Sequence, residues 1–282
     1  GYKKFISTAR ALRSYDFDLA LIFHGNEPQA TPLCYLSGAR FIFKLPNSSD
    51  WNFLLSNREP ITKWNELRHG IEARLKTAAL AGCKADGFKM DLFIENSDTG
   101  AASDFLKSVG VNSDDFLIGF QPGASTLSRQ WFPDRFVSLG KRLIEKYPFV
   151  KILLTGSPDE KALCEAIAKR IGPSAVVSAG AVTLNQGAAL IKKLKCFITG
   201  DTGPMHIAYA VGTPVVALYA VSDPQRTGPL LDAHKHRVIK KPRYCEPCAS
   251  KKCEYQKCME AISVDEVLGA VTGISALPDN SI

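Results

Sequence analysis

Gly200-Asp201-Thr202-Gly203-Pro204-Met205-His206-Ile207-Ala208 follows a mostly apolar run, Leu194 to Ile198, and leads into Ile207, Ala208, Ala210 and Val211 at short spacing. The pattern predicts a strand, a tight turn and a helix. Thr202 or Gly203 opens the helix, and Pro204 suits its first turn. Such a helix start presents free backbone N–H groups and the positive end of the helix dipole, which together make an anion site, typically for phosphate. Asp201 beside an anion has a different use: it accepts hydrogen bonds from hydroxyls, as a sugar offers. His206 falls one helical turn beyond Thr202 on the same face, where it either reaches phosphate or sugar or serves as a capping or core histidine. An ordinary helix cap is also spelled Asp-Thr-Gly, so the turn alone does not decide its use.

Upstream, Gly119-Phe120-Gln121-Pro122-Gly123-Ala124-Ser125-Thr126-Leu127-Ser128-Arg129-Gln130-Trp131-Phe132-Pro133 supplies a second half-site. Phe116 to Phe120 predicts a buried strand, and Asp134 caps a helix whose apolar face is Phe136, Leu139, Leu143 and Tyr147. Between them lies a small, hydroxyl-rich loop closed by Arg129. Ser125, Thr126 and Arg129 offer hydroxyl and amide donors plus a forked cation, which is what a diphosphate needs. A solvated loop with a surface arginine explains this segment equally well on its own, and less well beside the Asp201 turn.

The half that contains both segments alternates regularly. Strands are predicted near 116–120, 150–155, 175–178, 195–199 and 214–219, with helices near 134–147, 158–171, 184–194 and 203–211. Alternation at this spacing means a parallel sheet wrapped by helices on both faces, with ligands at the carboxyl ends of the strands. Thr155-Gly156 lies at one such end, with Asp159 two residues after Ser157. Ser263 caps a last helix, Val264 to Ile274.

Pro122-Gly123-Ala124-Ser125, Arg129-x-Trp131-x-Pro133, Leu154-Thr155-Gly156 and Asp201 to Ala208 together resemble the ADP-heptose:lipopolysaccharide heptosyltransferases, glycosyltransferase family 9. The resemblance is strongest over residues 115–272 and weaker over 1–114. It implies an α/β protein of the GT-B type with two Rossmann-like domains. Residues 1–113 would be the acceptor-side domain and 114–282 the donor-binding domain, with a cysteine-rich loop and a C-terminal helix that crosses back toward the first domain. It further implies inverting transfer of heptose from ADP-heptose to a sugar of the lipopolysaccharide inner core, without a cofactor or a metal in the chemistry. The donor would meet Ser125, Thr126, Arg129, Gly156, Asp201, Thr202, Gly203 and His206. The acceptor would enter near His24, Arg68, His69 and Arg74.

The first half is sparser. Phe17 to Phe23 predicts a buried strand, Arg40 to Phe43 a second and Asp91 to Ile94 a short third. Trp64 to Ala81 predicts a helix, and Asp98-Thr99-Gly100 starts another that runs to Val109. Gly110 to Asp115 is the expected linker. In the family the N-terminal domain opens with a strand and a Gly-rich turn carrying an acidic residue, the general base. No counterpart is found here, since Asp16 and Asp18 precede their strand, so the N-terminal domain reads as truncated and the base is expected upstream of Gly1.

Composition narrows the remaining classes. The 282 residues are 45% hydrophobic and 22% charged, room for two medium domains. No apolar run approaches the ~20 residues of a membrane span, and no signal-peptide stretch follows Gly1, so the expected placement is cytoplasmic. The net charge is +7, and Lys235 to Lys257 holds eight Lys/Arg against Glu246 and Glu254. A basic surface suits a phosphorylated substrate or the anionic face of the inner membrane. Nucleic acid is disfavoured, because no aromatic stacking residues interleave the basic ones. Cys34, Cys83, Cys164 and Cys196 are scattered and read as packing residues. Cys245, Cys248, Cys253 and Cys258 form C-x2-C-x4-C-x4-C, a spacing that fits a four-thiolate zinc site, fits iron–sulfur ligation less well and is equally compatible with no metal. Two other readings stay open: a non-catalytic nucleotide-sugar binder, which keeps the donor site without a base, and another GT-B enzyme such as a sugar-nucleotide epimerase, which needs further acid/base residues around the sugar.

Overall fold

The apolar runs condense into two compact units, Gly1–Phe88 and Lys89–Ile282, in a computed structural model that describes residues 1–23, 27–46, 50–62, 66, 69–112, 115–246, 248 and 253–274. The first unit contains α1 (Tyr2–Arg13), β1 (Leu19–Ile22), α2 (Ala30–Leu36), β2 (Phe41–Lys44) and α3 (Gly70–Ala79). β1 and β2 pair in parallel, with Leu19 opposite Phe41 and Ile22 opposite Lys44. Its core is small: Ile22, Ile42 and Leu55, flanked by Ala20, Ala30, Cys34 and Ala39. The strand expected over Phe17–Phe23 is shorter, and both phenylalanines lie outside it, exposed. The helix expected from Trp64 begins at Gly70, because His69 has extended backbone and its Nδ1 accepts the Ile71 N–H at 3.1 Å. Trp64 and Leu67 lie outside the described residues. The strand expected at Asp91–Ile94 is irregular backbone, with Phe93 exposed and no strand beside it among the described residues.

The second unit opens with α4 (Asn96–Ser108), which starts two residues before Asp98 because Glu95 and Asp98 close a reciprocal capping box. α4 packs on α7 (Leu184–Lys192), and Ala102 and Leu106 join one core cluster with Leu190, Leu194 and Phe197. That burial ties α4 to the C-terminal sheet. The division expected at 113/114 therefore moves to 88/89.

The rest alternates as expected: β3 (Phe116–Gln121), α5 (Pro133–Lys146), β4 (Val150–Leu154), α6 (Lys161–Ile171), β5 (Ala175–Val177), α7, β6 (Cys196–Gly200), α8 (Gly203–Ala210) and β7 (Val215–Tyr219). After α9 (Pro224–Thr227) comes a strand not expected from sequence, β8 (Arg237–Lys240), a four-residue edge strand with a charge at each end, too short to show a period. α10 (Lys257–Glu260) and α11 (Val264–Thr272) follow, with Ser263 and Glu266 capping α11 as expected for Ser263. The sheet is parallel throughout, in the order β5-β4-β3-β6-β7-β8.

This order reverses direction between β3 and β6. The chain runs outward from β3 through β4 to β5, then crosses back to β6 on the other side of β3. Such a switch point leaves a crevice at the carboxyl ends of the two strands. Gln121 pairs with Thr199 in register, so the loop after β3 and the turn after β6 emerge side by side. One face of the sheet is sealed by α5, α6 and α11 through Ile118, Phe120, Phe136, Leu139 and Val267, and the other by α4, α7 and α8 through Leu153, Phe197, Leu190 and Met205. Gly119 faces this second layer without a side chain, since a Cβ there would lie 2.3 Å from Leu194 and 2.7 Å from Phe197.

Candidate functional site

A cavity of about 600 Å³ opens over the switch point, within the second unit. Its wall includes Ser125, Arg129, Gly156, Asp201, Thr202, Gly203 and His206, seven of the eight residues expected to meet the donor. Thr126 is absent from that wall. Its extended backbone starts the single-turn helix Leu127–Arg129, and its hydroxyl pairs with Ser128 Oγ at 3.2 Å.

Arg129 and Asp201 come from the two loops and meet. Arg129 Nη2 lies 3.4 Å from Asp201 Oδ2, and Nη1 donates to the Asp201 carbonyl at 3.3 Å. The Asp201 side chain is 5% exposed and the Arg129 side chain 25% exposed, so the pair sits in the wall with the guanidinium partly open to the cavity. Arg129 Nε is buried without a hydrogen-bond partner among the described residues. The close approach of the two loops depends on Gly200: a Cβ there would lie 2.3 Å from the Arg129 carbonyl oxygen.

The start of α8 is not an ordinary side-chain cap. Thr202 occupies the N-cap with extended backbone and makes no capping hydrogen bond. Its hydroxyl pairs instead with Thr199 Oγ1 at 3.0 Å. The first amides of α8 therefore face the cavity wall with no side chain from the cap upon them, an arrangement that accepts an anion. His206 also lines the cavity, and its ring meets Tyr209 edge-on at 6.3 Å between centroids. Burial, with smaller contributions from Tyr219 and Asp201, pushes the Tyr209 phenol well above its ordinary pKa. Burial does the same to Tyr219, whose hydroxyl meets Thr227 Oγ1 at 3.3 Å on the cavity wall.

A polar chain at the ends of β3 and β4 completes the wall. Thr155 Oγ1 donates to Gln121 Oε1 at 2.7 Å, Gln121 Nε2 donates to Glu160 Oε2 at 3.2 Å, and the same oxygen accepts the Ser157 N–H at 2.8 Å. Asp159, noted near this strand end from sequence, is exposed; Glu160 is the carboxylate in the wall. It was legible as the fourth residue of the Ser157-Pro158-Asp159-Glu160 capping box, and Gln121 as the lone polar residue closing an apolar strand. Gly123 leaves room for this carboxylate, since a Cβ would sit 2.0 Å from Glu160 Oε1. Val182, Leu184, Ile191 and Ile207 supply an apolar stretch of wall. The cavity thus joins a cation and free amides for a charged group, carboxylates for hydroxyls and an apolar surface for a flat or aliphatic group.

The acceptor-side residues fall in the first unit. His24 and Arg68 lie outside the described residues. His69 is buried as the cap of α3, and Arg74 is exposed, its Nη1 donating back to the Gly70 carbonyl at 2.8 Å. Cys245, Cys248, Cys253 and Cys258 are half-buried and in no disulfide, and no three metal-ligating side chains come together among the described residues. Burial raises the Cys164 and Cys196 thiols to about 12, as packing residues. Cys83, expected in a core, is exposed because it follows the end of α3. No helix among the described residues is long and apolar enough to cross a membrane.

Residues 5–259 match glycosyltransferase family 9 (heptosyltransferase). Lipopolysaccharide heptosyltransferase 2 of Salmonella typhimurium is 34% identical over 145 residues, which cover 50% of this chain and 41% of that protein. The chain thus spans less than half the length of this relative. The lipopolysaccharide core heptosyltransferase OpsX of Haemophilus influenzae is 26% identical over 95% of this chain and 78% of its own. Among solved structures, the glycosyl transferase family 9 protein of Veillonella parvula aligns with a TM-score of 0.76 at 20% identity, covering 96% of this chain and 77% of that one. The Escherichia coli ADP-heptose LPS heptosyltransferase II aligns at 0.73 and 21%, covering 97% and 81%. These structures share the expected α/β fold of the GT-B type. With the strand–turn–helix elements, the Arg129 loop and the Asp201 turn all inside the matched span, the chain belongs to glycosyltransferase family 9, the heptosyltransferase family.

Proposed function

We propose that the chain transfers heptose from ADP-heptose to a sugar hydroxyl of the lipopolysaccharide inner core, with inversion at the anomeric carbon. The observation that carries this reading is the Arg129–Asp201 pair in the wall beside the uncapped start of α8. As ADP departs, negative charge grows on the diphosphate and the anomeric carbon gains oxocarbenium character. Arg129, Ser125 and the amides of Thr202 and Gly203 absorb the growing charge from a preorganised wall. Gly156 lets the ligand approach the backbone. Asp201 directs a carboxylate at the sugar while it orients Arg129, and so holds the anomeric carbon in line for attack. His206 adds a ring donor at the same edge. The acceptor side of the reading keeps Arg74, whose guanidinium is exposed, together with His24 and Arg68. Relatives named for heptose transfer to lipopolysaccharide support the substrate class. The basic excess supports a cytoplasmic protein that meets the anionic inner membrane at its periphery.

Calorimetry with ADP and ADP-heptose, paired with a transfer assay on heptose-deficient core lipopolysaccharide, tests the proposal. Binding of both nucleotides, with displacement of one by the other, is expected. Failure to bind either sinks it.

A further inference from the structure

We propose that Gln256 is a positioning residue for Arg129, reaching from the cysteine-bearing segment to set the loop that carries it. The inference rests on the reading of Arg129 as a ligand of the donor diphosphate.

The loop after β3 has little regular hydrogen bonding of its own beyond the single turn Leu127–Arg129. The Leu127 carbonyl accepts the Gln130 N–H at 3.0 Å, which leaves one of its lone pairs for a further donor. Gln256 Nε2 donates to the Leu127 carbonyl at 2.6 Å and to the Gln130 carbonyl at 3.0 Å. Both hydrogens of one planar amide are spent on the two carbonyls that bracket Ser128 and Arg129. The separation of those carbonyls is thereby fixed by a rigid group. Gln130 carries the chain of bonds onward, its Nε2 donating to the Ala124 carbonyl at 2.9 Å. On the opposite side the Arg129 carbonyl presses against Gly200. Clasped between Gln256 and Gly200, the Arg129 backbone has one place from which its side chain can meet Asp201.

Gln256 is itself held. Its φ of 47° lies in the left-handed region, unusual for a glutamine, at the N-cap of α10. Three residues on, Met259 is buried, and Trp131 Nε1 donates to the Ile262 carbonyl at 3.0 Å. Arg135 Nη1 also donates to the Met259 and Ile262 carbonyls. The clasp is therefore part of a packed body, and Cys253 and Cys258 flank it.

The test uses Gln256→Met, which keeps length and loses the donors, and Gln256→Lys, which restores a donor. ADP affinity is read by calorimetry in the wild-type and Arg129→Ala backgrounds, with thermal unfolding of each protein. Gln256→Met should weaken ADP about tenfold by losing two backbone hydrogen bonds, and Gln256→Lys should stay within about threefold. In the Arg129→Ala background Gln256→Met should change ADP affinity by less than about twofold, since coupled residues are not additive. Wild-type affinity in Gln256→Met, or the same tenfold loss without Arg129, overturns the assignment and leaves a clasp that only stabilises. Should Gln256→Met fail to fold, Gln256→Glu carries the same comparison, because its carboxylate faces two carbonyls without a donor. A wild-type protein that binds no ADP fails the functional reading first and this inference with it.

Discussion

The two half-sites of the cavity are built differently. The Asp201 turn is local: an apolar strand ends at Gly200, the chain turns through Asp201 and Thr202, and α8 begins at Gly203. The Arg129 loop is assembled from afar. Gln256 bonds it from a segment near the C-terminus, Gly200 makes space for its backbone, and Asp201 receives its guanidinium. A turn made by its own backbone survives changes elsewhere, whereas a loop held by distant donors fails when any holder is lost. The comparison also assigns work: the turn supplies amides and a carboxylate, and the loop supplies the cation.

The largest expected effect is on the cation. If Arg129 holds the diphosphate as proposed, Arg129→Ala removes charge-assisted bonds to it and should weaken ADP binding by about 10- to 150-fold, from a loss of ~1.5–3 kcal/mol. Calorimetry that finds ADP affinity unchanged would remove Arg129 from the donor site and leave the turn to bind alone. Gly200→Ala attacks the contact between the half-sites. The new Cβ meets a backbone oxygen that cannot swing aside, so stability should fall by about 1–3 kcal/mol and ADP affinity with it. Urea unfolding at wild-type midpoint would mean that the loops do not depend on each other.

Asp201→Asn separates the two tasks given to the turn. It keeps the amide start of α8 and removes the charge, so ADP-heptose should lose about tenfold in affinity while ADP loses less. Equal losses for both ligands would mean that the carboxylate acts on Arg129 alone. Behind the turn, Tyr209 of α8 stacks edge-on against His236 at 4.8 Å, and His236 Nδ1 accepts the Val215 N–H at 3.2 Å. Burial drives the His236 pKa down to about 4. The neutral ring's contribution is complete above its ordinary pKa near 6.5 and is lost as pH falls toward 4. His236→Gln, which keeps an acceptor without titrating, should flatten that part of the Tm profile; parallel profiles would exclude the histidine. The smallest effect is expected from chelation. If charge on the diphosphate is met by Arg129 and backbone amides, transfer should persist in chelator whether or not Cys245, Cys248, Cys253 and Cys258 take up zinc. Loss of turnover restored by a divalent ion would break the division of labour between turn and loop, and elemental analysis would show whether the thiols hold metal.

Sequence alone determined the alternating strands and helices of residues 116–219, the parallel sheet, and the placement of Arg129 and Asp201 at the carboxyl ends of their strands. Those properties rest on hydrophobic period and local turn chemistry, which are written within a few residues of where they act. Tertiary structure decided the rest. The pairing of Arg129 with Asp201 follows from β3 and β6 lying side by side, which strand order settles and no local pattern records. Glu160 rather than Asp159 enters the wall because the capping box turns it inward. α4 joins the second unit because Ala102 and Leu106 find their partners on α7, some 80 residues later. β8 forms only because β7 offers it an edge, and Gln256 earns its place through two carbonyls that its own neighbourhood does not contain. Local chemistry is carried by sequence spacing; contacts between distant segments are set by packing, and the binding loop depends on the second.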